Sequence, residues 1–145
     1  MTFDWRYLFR LALGALFIWA ALAKIADMSA FAADIHNFRI LPVVLENLAA
    51  ITIPWIELTA GLLLALNVAP RAGLVVLGGL LLVFLVAIAS AMARNLDIAC
   101  GCFGTHDAVR TGWVTLIRDL GMIALAVLGY PPRRPRGHHA PVPAV

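Results

Sequence analysis

The sequence predicts an all-α integral membrane protein, a four-helix bundle with a short amphipathic interfacial helix between the first and second spans. Three observations predict it. Of the 145 residues, 63% are hydrophobic and 13% charged, with a mean hydropathy of +0.93, whereas ordinary globular domains carry about 25% charged residues. Apolar runs recur at lengths near the roughly 20 residues that a helix needs to cross a bilayer. Those runs are unbroken rather than alternating, which favours helices over barrel strands, the only other structure that satisfies its backbone in hydrocarbon.

The first span runs from about Tyr7 to about Ala26, with Arg6 and Arg10 at its start and Lys24 and Asp27 at its far end. A cleaved signal peptide is the competing reading, since Ala21-Leu22-Ala23 resembles a cleavage site. The apolar stretch is long for a signal core, however, and three more spans follow it. In residues 29–42, Phe31, Ile35, Phe38 and Leu41 share one helical face while Asp34, His36, Asn37 and Arg39 lie elsewhere, the pattern of a helix lying in the interface.

Pro42 suits the first turn of a new helix. The second span begins somewhere between Val43 and Ile53 and ends near Val68, with Pro54 inside it. Trp55 reads either as an interfacial anchor or, if the helix starts early, as a core residue. Asn67 to Arg71 forms a tight turn, and the third span, about Ala72 to Ala93, carries no charge. The longest polar connection, Arg94 to Gly112, precedes a fourth span from about Trp113 to Leu128. Residues 1–130 thus form one membrane domain, and residues 131–145, rich in Pro, Arg and His, form a disordered basic tail.

Four spans put both termini on one side. That side collects Arg6, Arg10, Arg71, Arg133, Arg134 and Arg136, against Lys24, Arg39, Arg94 and Arg110 on the other. The positive-inside rule then places the termini in the cytoplasm and Cys100 and Cys102 outside it, on the periplasmic side of a bacterial inner membrane. The basic residues are scattered or sit at span ends, so they report topology and exclude a nucleic-acid footprint; lipid is the expected surrounding.

Cys100 and Cys102 are the whole thiol content, too few for a disulfide scaffold but placed where thiols are readily oxidised. A disulfide between cysteines two apart needs a bent backbone, which Gly101 and Gly104 permit. So small a ring is strained, and strained disulfides suit exchange. Two other readings stand beside this redox centre: thiols that merely pack in a loop, and a soft metal held by Cys100, Cys102 and His106. Four ionisable residues, Lys24, Glu57, Arg118 and Asp119, fall inside predicted spans, where each is costly unless paired or hydrated. All can meet in the outer half of the bundle, either as structural pairs or as groups that tune a nearby thiol.

In order along the chain, the Lys24 end of the first span, FRILP (Phe38 to Pro42), PWIELTAG (Pro54 to Gly61), RNLDIACGCFG (Arg94 to Gly104) and Arg118-Asp119 resemble the methylamine utilisation protein MauE family, within the wider DoxX-like group of small four-helix membrane proteins. The resemblance covers about residues 7–128 and leaves out the tail. It implies a role in maturing periplasmic proteins: supporting disulfide formation, in particular in the small subunit of methylamine dehydrogenase, with a thioredoxin-like partner. Under it Cys100 and Cys102 are the redox pair, and Lys24, Glu57 and Arg118 are family-like polar positions in support. A thiol-disulfide oxidoreductase with no second cysteine pair must pass its electrons to a quinone or to another protein. Two further readings are a non-catalytic scaffold that docks the thioredoxin-like factor, and a carrier of a metal or small molecule.

Overall fold

The computed structural model describes residues 5–96 and 112–131. Within them the chain is helical throughout: α1 (Trp5–Ala26), α2 (Met28–Phe38), α3 (Val43–Ala65), α4 (Pro70–Ala93) and α5 (Trp113–Leu128). The cysteines, with Asp97, His106, Asp107 and Arg110, lie outside the described residues, as does nearly all of the basic tail.

Three of these helices, α1, α3 and α4, are long and apolar enough to cross a membrane. The fourth predicted span has the expected bounds, but at 16 residues α5 is only about 24 Å long, short of the roughly 30 Å hydrocarbon core. It completes the bundle by packing on α1 and α4. The short helix is also present, from Met28 to Phe38 rather than to Pro42, because Arg39 turns into the left-handed region (φ 50°) and ends it.

Asp27 starts α2: its Oδ1 accepts the Ala30 N–H at 3.0 Å and the Ser29 hydroxyl at 2.8 Å. This is an N-cap, in which a side-chain oxygen takes up one of the helix's orphan donors. Those two hydrogen bonds, the backbone one first, hold the Asp27 carboxyl below its ordinary pKa. The second span begins at its early limit, Val43, and Pro54 is buried inside it. Trp55 is 52% exposed in mid-helix, so it faces the surroundings and is neither a core residue nor a terminal anchor.

The long helices form a ring in which α1 packs on α3, α3 on α4, α4 on α5 and α5 back on α1, around Leu13, Phe17, Leu64, Leu77, Leu81 and Met122. The closest approach is at Gly14 and Gly61. A Cβ on Gly14 would stand 2.9 Å from the Gly61 carbonyl oxygen, and one on Gly61 would stand 3.0 Å from Ile18 Cγ1. Small residues at such a crossing let two backbones touch, which is how membrane helices associate without a hydrophobic drive. Outside the ring, Val75, Val83, Val86, Val114 and Val127 are each more than 60% exposed. So much apolar side chain facing outward fits a bundle solvated by lipid.

Candidate functional site

Of the ionisable residues predicted inside the spans, Lys24 of α1 and Glu57 of α3 form a direct pair. The Lys24 ammonium lies 2.7 Å from both Glu57 carboxylate oxygens, with 2% and 1% of the two side chains exposed. A buried charge is tolerated only when it is paired and hydrogen-bonded. Aromatic faces complete the surroundings: the ammonium sits 5.1 Å from the Phe31 ring centroid and 5.2 Å from that of Phe84, within cation–π range. Helices α1, α2, α3 and α4 therefore all supply side chains to one buried cation.

Asp119 joins this cluster from α5. It is 1% exposed, it lies within electrostatic reach of Lys24, and its Oδ2 has no hydrogen-bond partner among the described residues. Thr115, one turn earlier, is equally buried. Arg118 is half-buried beside Asp119; adjacent residues on a helix point about 100° apart. Lys24 lies two residues from the end of α1 and Asp119 is the seventh of the 16 residues of α5, both in the half expected, whereas Glu57 lies deeper along its helix. Glu57 is the fifteenth residue of α3, about 21 Å from its start, and Phe84 is ten residues from Arg94, about 15 Å from the end of α4. The greater depth of Glu57 follows from the early start of α3, which adds three turns before Pro54.

Two polar links at this end of the bundle were invisible in the residue pattern. Arg94, just past α4, donates to the carbonyl of Phe38 and, at 3.3 Å, to that of Arg39, while its Nε bonds Ser90 O at 3.2 Å. One guanidinium thus caps the C-terminus of α2, where free carbonyls and the helix dipole favour a cation. His36 Nδ1 donates to Glu46 Oε2 at 2.9 Å, tying α2 to α3. Pairing across a four-residue connection depends on the angle at which α3 leaves it, which no spacing in the sequence records.

At the opposite end, Arg10 is buried and donates to Asn67 Oδ1 at 2.6 Å across the α3–α4 turn, and to Arg6 O at 3.3 Å.

Below the interfacial helix, α2, α3 and α4 enclose a cavity of about 400 Å³. Phe31, Phe38 and Phe84 form its aromatic walls, Ala49 and Ile53 line it from α3, Ala87 lines it from α4, and among the described residues Asp34 is its single ionisable side chain. Phe31 and Phe84 are the same rings that flank Lys24. Burial, with Asp27 adding to it, raises the Asp34 carboxyl above its ordinary pKa.

Apolar helices around a buried Lys–Glu pair, capped by an interfacial helix, define a small multi-pass membrane protein with a polar centre inside its bundle. The family model "Methylamine utilisation protein MauE" matches residues 5–131. The chain belongs to the MauE family. It is 35% identical over 121 residues to the methylamine utilization protein MauE of Paracoccus denitrificans, covering 81% of this chain and 64% of that protein. The MauE of Methylorubrum extorquens is 36% identical over 111 residues, with 76% and 59% covered, and that of Paracoccus versutus 35% identical over 116 residues, with 79% and 62% covered. The chain spans about three-fifths of the length of these curated relatives. No solved structure matches it.

Proposed function

We propose that this chain is an accessory membrane protein of methylamine utilisation that supports disulfide formation in periplasmic proteins through Cys100 and Cys102, the small subunit of methylamine dehydrogenase being the first client to test. The observation that carries the reading is the Cys-Gly-Cys-Phe-Gly sequence between α4 and α5 of a chain in this family. A partner thiolate, on the client or on a thioredoxin-like protein, attacks the Cys100–Cys102 disulfide and forms a mixed disulfide. The partner's second thiolate resolves it. The partner leaves with a new S–S bond, and the cysteine pair is left as two thiols. A membrane quinone restores the pair by taking two electrons and two protons, so that one S–S bond forms as quinone becomes quinol. The termini are cytoplasmic and the cysteines periplasmic in this scheme. The buried Lys24–Glu57 pair, with Arg118 and Asp119, holds the helices from which the cysteine segment departs.

The test is a Cys100→Ser/Cys102→Ser variant, with client thiols trapped by alkylation in cells. Reduced client accumulates if the reading holds. A client that stays fully oxidised in the double variant overturns it and leaves a scaffold that docks its partner through the outer loops. Labelling intact cells with a membrane-impermeant maleimide, before and after reduction, reports sidedness independently: labelling only after reduction is expected, and no labelling in either state places the cysteines on the wrong side.

A further inference from the structure

We infer that the cavity between α2, α3 and α4 is the binding site of the quinone, seating its ring among Phe31, Phe38 and Phe84 with one carbonyl toward Asp34. The inference rests on the redox reading above for its oxidant, but it concerns a separate part of the molecule and is tested separately.

Three features select this occupant. A volume of about 400 Å³ lies within the range of small-molecule sites, which are typically concave, mostly apolar and equipped with few polar groups. Three phenyl rings from two helices suit a flat conjugated ring, since offset and edge-to-face contacts favour aromatic partners. The cavity also abuts lipid: Leu82, Val83 and Val86 line it and are each more than half exposed on the outer face of α4. An isoprenoid tail can therefore remain among acyl chains while the ring enters.

Asp34 gives the site a polar end at the boundary helix. Burial, with the neighbouring Asp27 adding to it, raises its pKa, and a carboxyl in its acid form can donate a hydrogen bond to a quinone carbonyl oxygen. The cavity is also coupled to the connection that bears the thiols: the Phe38 ring lines it, while the Phe38 carbonyl is held by Arg94. Cys100 follows Arg94 by six residues, a stretch with a reach of up to about 20 Å.

The experiment uses the full chain in nanodiscs with a photoreactive p-benzoquinone carrying a decyl tail, cross-links being mapped by mass spectrometry. Labelling is expected on α2 and α4, at least tenfold reduced by Ala87→Phe and by Ala49→Phe, which fill the cavity from opposite walls, and reduced several-fold by Asp34→Ala. Unlabelled decyl-benzoquinone should compete, and decanol should not. Cross-links scattered over the outer surface, or undiminished by both filling substitutions, overturn the assignment. Equal competition by decanol overturns it in favour of an acyl-chain pocket. The Cys100→Ser/Cys102→Ser variant should label like the wild type. Client oxidation that needs the cysteines in a chain that takes up no quinone here defeats this site alone. Quinone uptake with dispensable cysteines defeats the redox reading alone.

Discussion

The contact between α1 and α3 carries a buried cation at each end, and the two are satisfied differently. At one end Lys24 meets a carboxylate on the facing helix, with both partners sealed from the surroundings and two aromatic rings over the ammonium. At the other, Arg10 reaches Asn67, a neutral and exposed amide in the α3–α4 turn. An ammonium sealed among helices needs an opposite charge beside it, whereas the Arg10 guanidinium reaches a side chain that itself meets the surroundings.

The largest effect should come from splitting the buried Lys24–Glu57 pair. Lys24→Met or Glu57→Leu alone leaves an uncompensated charge and should cost about 3–5 kcal/mol, whereas the double substitution should be near neutral; thermal unfolding in nanodiscs measures both. A double variant as unstable as the singles would remove the distinction between the two ends. Between the ends, Gly14→Val should cost about 1–3 kcal/mol by overpacking, because its side chain meets the Gly61 carbonyl, which cannot rotate away. Gly121, with open space around it, should accept Ala with a gain of up to about 1 kcal/mol in helix propensity. At the Arg10 end, Asn67→Gly keeps the left-handed conformation (φ 54°) but removes the amide, and should cost about 1 kcal/mol. The smallest effect concerns α2. The pKa of Asp27 is lowered in the folded chain, so its cap is fully present above the ordinary carboxylate range and is lost as pH falls through the lowered value. Faster hydrogen exchange at Ala30, beginning only below about pH 4, is the expected reading.

The sequence revealed what hydropathy and helical period encode. The charge-free third span, Ala72 to Ala93, and the four ionisable residues inside the spans stood out because lipid makes each charge expensive. The start of α3 did not: the sequence left it anywhere between Val43 and Ile53, and in the fold residues 43–53 are helical and α3 packs against α2. The same packing sets the depth of Glu57 and opens the cavity, so neither could be read from spacing. The links from His36 to Glu46 and from Arg94 to Phe38 and Arg39 escaped notice for a related reason. They join residues whose proximity depends on how connections turn, and no periodic pattern records that.

The grip of Arg94 on two carbonyls has a mechanical side. Because the same guanidinium also bonds Ser90 in its own last turn, it rivets the exit of α4 to the end of the surface-lying helix. A tug on the chain beyond Leu96, as when a visitor pulls there, is therefore shared with α2 and reaches the wall built from Phe38. An Arg94→Gln variant would uncouple the two, leaving α2 free to rock while α4 stays in place.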